Sequence, residues 1–125
     1  MSLPPARWGF SKMNGHSDGG FIPVATLDAL DARGRAVVQV DGVAVALFRV
    51  NGELHAVADA CPHRAGPLSE GDLVGYVVHC PLHTWPFDIR TGLCSRHPGV
   101  RVPTFEVRVQ GQHILVAASG SVPAP

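Results

Sequence analysis

No stretch of the chain approaches the roughly 20 consecutive apolar residues needed to cross a bilayer as a helix, so no membrane span is expected. Neither sign of charge dominates: ten basic and ten acidic residues cancel, and charged residues make up only 16% of the whole. Without a Lys/Arg run there is no electrostatic footprint for nucleic acid or for an anionic membrane surface. Three cysteines are too few for a disulfide framework, so they are read as metal ligands or bystanders in a reducing compartment. The N-terminus lacks the charged start and apolar core of a secretory signal. The expected location is the cytoplasm.

What is present describes one small globular domain. The 125 residues are 46% hydrophobic, enough for a single modest core and too few for two. Residues 1–20 mix Pro, Gly, Ser and Asn without apolar periodicity and read as a flexible N-terminal tail, as residues 119–125 do at the other end. The domain itself is expected to run from 21 to 118. Residues 27–33, followed by Gly34, predict one short helix with a glycine stop.

From Ala36 the pattern is that of strands. Segments 36–40, 43–50 and 53–58 are rich in Val, Ala, Leu and Phe, and they are separated by Asp41-Gly42 and Asn51-Gly52. Such Xaa-Gly pairs are strong hairpin signals, and two in succession imply an antiparallel meander. A later hairpin is expected from 104–109 and 113–117, joined around Gln110-Gly111. Between these groups, about residues 59–101, the chain is rich in Pro, Gly, Cys and His, with one apolar stretch at 73–78. The predicted fold class is all-β, a small antiparallel sandwich or barrel carrying a loop-rich insertion.

The insertion holds the chemistry. Cys61-Pro62-His63 stands at its start, and Cys80-Pro81-Leu82-His83 follows in a second loop. A single zinc ion accepts four such ligands, but common zinc modules pair Cys with Cys and His with His. Here each loop offers one thiolate and one imidazole. That suits a two-iron cluster in which each loop reaches across both metals.

The run Cys61-Pro62-His63-Arg64-Ala65-Gly66, then Leu68-Ser69-Glu70-Gly71, then Cys80 through Asp88, then Thr91-Gly92, resembles the Rieske ferredoxins and the Rieske-type small subunits of nitrite reductases. The resemblance covers about residues 21–117 and implies one 2Fe-2S cluster bound by the insertion. It implies that Cys61 and Cys80 hold the inner iron through sulfur, and that His63 and His83 hold the outer iron through nitrogen. Two neutral imidazoles in place of thiolates leave less negative charge on the cluster and raise its potential above that of all-thiolate ferredoxins. The high-potential members carry one extra cysteine in each loop, joined as a disulfide. At the corresponding places this chain has Gly66 and Leu82. Those members also hydrogen-bond the cluster through a Ser and a Tyr, where this chain has Trp85 and Phe87. Fewer donors stabilise the reduced state less, so the expected potential lies in the lower half of the roughly −150 to +300 mV Rieske range.

Other residues have readings of their own. Pro62 and Pro81 stiffen the ligand loops and remove an N–H that would need a partner. Gly66, Gly71 and Gly92 permit tight turns or close backbone approach. Trp85 and Phe87 form either an apolar wall beside the site or ordinary core. Arg64 is either a docking residue or a solvated charge. Cys94 reads as a small buried apolar residue, His79 as pointing away from Cys80, Asp88 with Thr91-Gly92 as a closing turn, and Pro98-Gly99 as either a third loop over the cluster or a connector.

No catalytic apparatus accompanies the cluster motif. An oxygenase would need a mononuclear iron held by two His and a carboxylate, and no room for such a domain is expected after Ala117. The leading reading is therefore a one-electron carrier between an NAD(P)H-dependent reductase and a terminal oxygenase. The alternatives are the small subunit of an assimilatory NAD(P)H nitrite reductase, serving its large subunit, and a zinc-bound or metal-free binding or regulatory module.

Overall fold

The computed structural model describes residues 20–62, 66–82 and 84–117. Apart from Gly20 the proposed tails, and with them His63, Arg64 and His83, lie outside the described residues.

Among the described residues, ten strands form three antiparallel sheets. They are β1 (Phe21–Thr26), β2 (Arg35–Val40), β3 (Val43–Val50), β4 (Glu53–Ala58), β5 (Asp72–Val74), β6 (Val77–His79), β7 (Pro86–Asp88), β8 (Thr104–Phe105), β9 (Val107–Gln110) and β10 (His113–Ala117). The sheet orders are β1-β10-β9, β2-β3-β4-β8 and β5-β6-β7. No described helix is long and apolar enough to cross a membrane.

The meander β2-β3-β4 follows from its turns. Asp41 and Gly42 both have positive φ (52° and 81°), as do Asn51 and Gly52 (53° and 81°). Two successive left-handed residues match the right-handed twist of the flanking strands, and Asn/Asp followed by Gly tolerates them best. The register runs without a break from Arg35↔Phe48 to Val40↔Val43 and from Val45↔Ala58 to Val50↔Glu53.

Strand β3 is the centre of the molecule. Its residues 45–48 are all fully buried, which an antiparallel strand with one wet face would not be. The alternation of side chains explains it. Val45 and Leu47 pack with Val40, Ala56, Ile114 and Val116, facing the β1-β10-β9 sheet. Ala46 and Phe48 face the other way, into a core that contains Leu68, Val78, Phe87, Ile89, Val102 and all three cysteines. The ligand-bearing insertion is thus mounted on one face of the middle sheet by its own core. Each large side chain buried there contributes about 1.5–3 kcal/mol.

Three expectations change. The predicted helix at 27–33 is only a 3-10 turn over Leu27–Ala29, because Leu30 is already extended (ψ 135°). Asp31 then accepts hydrogen bonds on Oδ1 from the N–H groups of Arg33 (2.8 Å) and Arg35 (3.1 Å). A side chain competing for local backbone donors favours a turn over a helix. The expected strand 104–109 is split at Glu106. β8 pairs with β4, while β9 pairs with β10, so the chain changes sheets there. The apolar stretch at 73–78 is a hairpin, β5-β6, turning at Gly75 (φ 62°), and β7 completes its sheet.

Candidate metal centre

The two Cys-Pro loops share one frame. In the first, the Cys61 N–H donates to the Gly66 carbonyl (2.9 Å), and Ala60 bridges Pro67 just outside. In the second, the Cys80 N–H donates to the Trp85 carbonyl (3.0 Å), and His79 pairs with Pro86 just outside. Each loop is therefore an arch closed five residues after its cysteine, the second tightened by the Thr84 N–H on the Cys80 carbonyl (2.7 Å). Thr84 takes a positive φ of 57° to make that turn.

The arches face each other. A Cβ on Gly66 would meet Leu82 Cγ at 2.9 Å and Cys80 Sγ at 3.2 Å. Glycine is the residue that allows this approach. The bases of the arches are dry, with Cys61 at 2% and Cys80 at 0% exposure, whereas Pro62, Pro81 and Leu82 are exposed at the tips. The arrangement is thus two facing arches with buried sulfur at their bases and solvent at Pro62, Pro81 and Leu82.

Their footings are fixed by backbone and charge. The Leu68 N–H bonds the Asp59 carbonyl (2.7 Å) and the Ser69 N–H bonds Asp59 Oδ1 (2.8 Å), tying the exit of the first arch to its entry. The Arg35 guanidinium reaches in from β2, with Nη1 donating to the carbonyls of Ser69 (2.8 Å) and Gly71 (2.7 Å). Burial pulls its pKa below the ordinary guanidinium value, and the fields of Asp31, Glu70 and Asp72 oppose that. Neither Asp59 nor Arg35 was singled out from sequence; the one available signal was a charged residue opening an apolar strand.

The supporting residues divide. Phe87 is core, fully buried, while Trp85 is half-buried and stacks on His97 with centroids 3.8 Å apart. His97 precedes the exposed Pro98-Gly99 segment, which the stack thus joins to the second arch. Cys94 is 3% exposed and packed in the core. His79 is half-buried, with Nδ1 3.3 Å from the Asp72 carbonyl oxygen. Asp88 closes its turn by accepting the N–H groups of Gly92 (2.7 Å) on its carbonyl and of Arg90 (2.8 Å) on Oδ1. The Arg90 side chain's hydrogen bond holds the Asp88 carboxyl below the usual carboxylate range.

Comparison with known proteins points the same way. The profile of the Rieske [2Fe-2S] domain matches residues 20–118. The ferredoxin component of the naphthalene 1,2-dioxygenase system of Pseudomonas aeruginosa is 36% identical over 83 residues, covering 66% of this chain and 80% of that protein. The ferredoxin in the complex of reduced oxygenase and oxidized ferredoxin of carbazole 1,9a-dioxygenase superposes with a TM-score of 0.69 at 31% identity, covering 79% of this chain and 94% of that one. A protein assigned as the small subunit of an NADPH nitrite reductase superposes with a TM-score of 0.69 at 27% identity, covering 77% and 96%. With its domain matched from end to end, its all-β sheets and its paired Cys-Pro arches, this chain belongs to the Rieske [2Fe-2S] domain family.

Proposed function

We propose that the chain is the ferredoxin component of a dioxygenase system, carrying one electron at a time from an NAD(P)H-dependent reductase to a terminal oxygenase. The observation that carries the reading is the pair of facing arches with buried thiols and exposed tips. In this assignment Cys61 and Cys80 supply sulfur from the dry floor, and His63 and His83 supply nitrogen from the same two loops. The donor set fits a 2Fe-2S cluster with two thiolate and two imidazole ligands. Such a cluster, when bound, supplies a reversible one-electron couple.

The protein's own part is to hold that couple steady and reachable. The backbone bonds of the Cys61 and Cys80 N–H groups hold the two sulfur donors in place, so little rearrangement on that side accompanies a change of charge. Phe87, Leu68 and Val78 keep the sulfur side dry. The exposed apolar side chains of Pro62, Pro81 and Leu82 offer a partner a contact surface on the two ligand loops. Gly66 and Leu82 leave no inter-loop disulfide, and Trp85 and Phe87 offer no hydroxyl donors, which supports a potential at the low end of the family. Cys94, a thiol outside the proposed ligand set, suits a reducing compartment, and we place the protein in the cytoplasm.

The dioxygenase reading is favoured over a nitrite reductase small subunit because the two ferredoxins of dioxygenase systems compared above, at 36% and 31% identity, are more similar to this chain than that small subunit at 27%. Stopped-flow mixing of the reduced protein with each acceptor tests it. Rapid reoxidation by a dioxygenase terminal component is expected. Reoxidation only by a sirohaem-containing large subunit would move the protein to the second role.

A further inference from the structure

Arg35 is 8% exposed, and no reading of the cluster ligands uses it. Its strand does not need its side chain. The β2–β3 ladder is complete from Arg35↔Phe48 onward, and the Arg35 backbone N–H is satisfied by Asp31. The guanidinium instead lies over the Phe48 ring, 5.3 Å from the centroid, and spends Nη1 on two carbonyls, Ser69 and Gly71.

Those two carbonyls stand at the crossing of the ligand loops. Ser69 follows the first arch directly and is tied back to its entry by Asp59. Gly71 abuts the second: a Cβ there would lie 1.9 Å from the carbonyl oxygen of His79, the residue before Cys80. One cation therefore sets the position of a short segment pressed against both arches. A donor to two carbonyls from a single planar nitrogen fixes a direction as well as a distance.

We propose that Arg35 is a positioning residue for the cluster, setting from strand β2 the spacing between the Cys61 and Cys80 arches. The inference rests on the cluster reading above. The stem of a methionine would still cover Phe48, so loss of the guanidinium relaxes the crossing without emptying the core.

The test uses the full-length, iron-loaded protein and the variants R35M, R35K and R33M, the last removing a neighbouring exposed charge that touches neither carbonyl. Far-UV circular dichroism reports the fold. EPR of the reduced state and the rate of bleaching by a chelator report the cluster. R35M is expected to keep the native dichroism, broaden the EPR g-spread and bleach several-fold faster, with R35K between it and the parent and R33M like the parent. Parental EPR and bleaching in R35M, or equal changes in R33M, would overturn the proposal. If R35M does not accumulate, R35K decides it: altered EPR with native dichroism supports the role, and unaltered EPR refutes it. A parent protein that holds no iron would overturn the cluster reading instead.

Discussion

Gly66 of the first arch lies against Leu82 of the second, so close that a Cβ on Gly66 would sit 2.9 Å from Leu82 Cγ. These are the two positions that the resemblance to Rieske proteins sets against the disulfide of the high-potential members, and here they meet through a hydrogen atom and an exposed leucine. The contact is tight on one side only. Leu82 is 58% exposed and can swing away, whereas Cys80 Sγ, 3.2 Å from the same Cβ, is buried and cannot. Gly66→Ala is therefore expected to cost about 1–3 kcal/mol by overpacking. Adding Leu82→Ala should recover only part of that. Thermal melts of the single and double variants measure the split, and full recovery would show that Cys80 does not confine the loop.

The same pair predicts a gain. Cysteines at 66 and 82 have their Cβ atoms within the reach of a disulfide, whose Cβ–Cβ separation is about 3.5–4.5 Å. The double variant G66C/L82C, oxidised after cluster assembly, should lose two titratable thiols, resist chelator longer and rise in potential. Two thiols that persist under oxidant would mean the arches are farther apart than described.

Gly71 tolerates less than Gly66, because the atom a Cβ would meet, at 1.9 Å, is the backbone oxygen of His79. Gly71→Ala must part the loop from β6, and its cost should exceed the ~0.5–3 kcal/mol of an ordinary substitution. Cys94→Ala is the opposite case. Cys94 is buried in the core and lies in neither arch, so the change should cost about 1 kcal/mol and leave iron and sulfide content unaltered. Iron loss in C94A would make it a ligand.

His55 gives a pH dependence. Its Nε2 is buried without a hydrogen-bond partner and lies 3.7 Å from Glu53. Burial lowers its pKa, while Glu53 works the other way. With the folded value below the unfolded one, the unfolded chain takes up the proton first as pH falls. Stability should therefore drop below about pH 6.5, the ordinary histidine value, and be level above it. His55→Phe, which keeps an edge-on ring against Tyr76, should flatten that slope. Parallel Tm-versus-pH curves for parent and variant would refute the assignment.

The sequence made the central hairpins legible because Asp41-Gly42 and Asn51-Gly52 force their turns locally. It made the arches legible because Cys, Pro and His at such spacing have few other uses. It did not show Glu106 stepping between sheets, since the residues on both sides favour strands and only pairing with β4 or β10 distinguishes them. Nor did it show Asp31 undoing the predicted helix. Arg35 and Asp59 were hidden for the same reason: each acts on carbonyl or N–H groups distant in sequence, and no motif records such a contact.

The proposed ligand set holds one 2Fe-2S cluster through Cys61, Cys80, His63 and His83. Pulsed EPR of the dithionite-reduced protein, with the histidine nitrogens isotopically labelled, tests it most directly. The account predicts an average g below the free-electron value and hyperfine couplings from two imidazole nitrogens, one lost in His63→Cys and the other in His83→Cys. A reduced protein with no nitrogen coupling, or an EPR-silent one holding a single zinc, would contradict it.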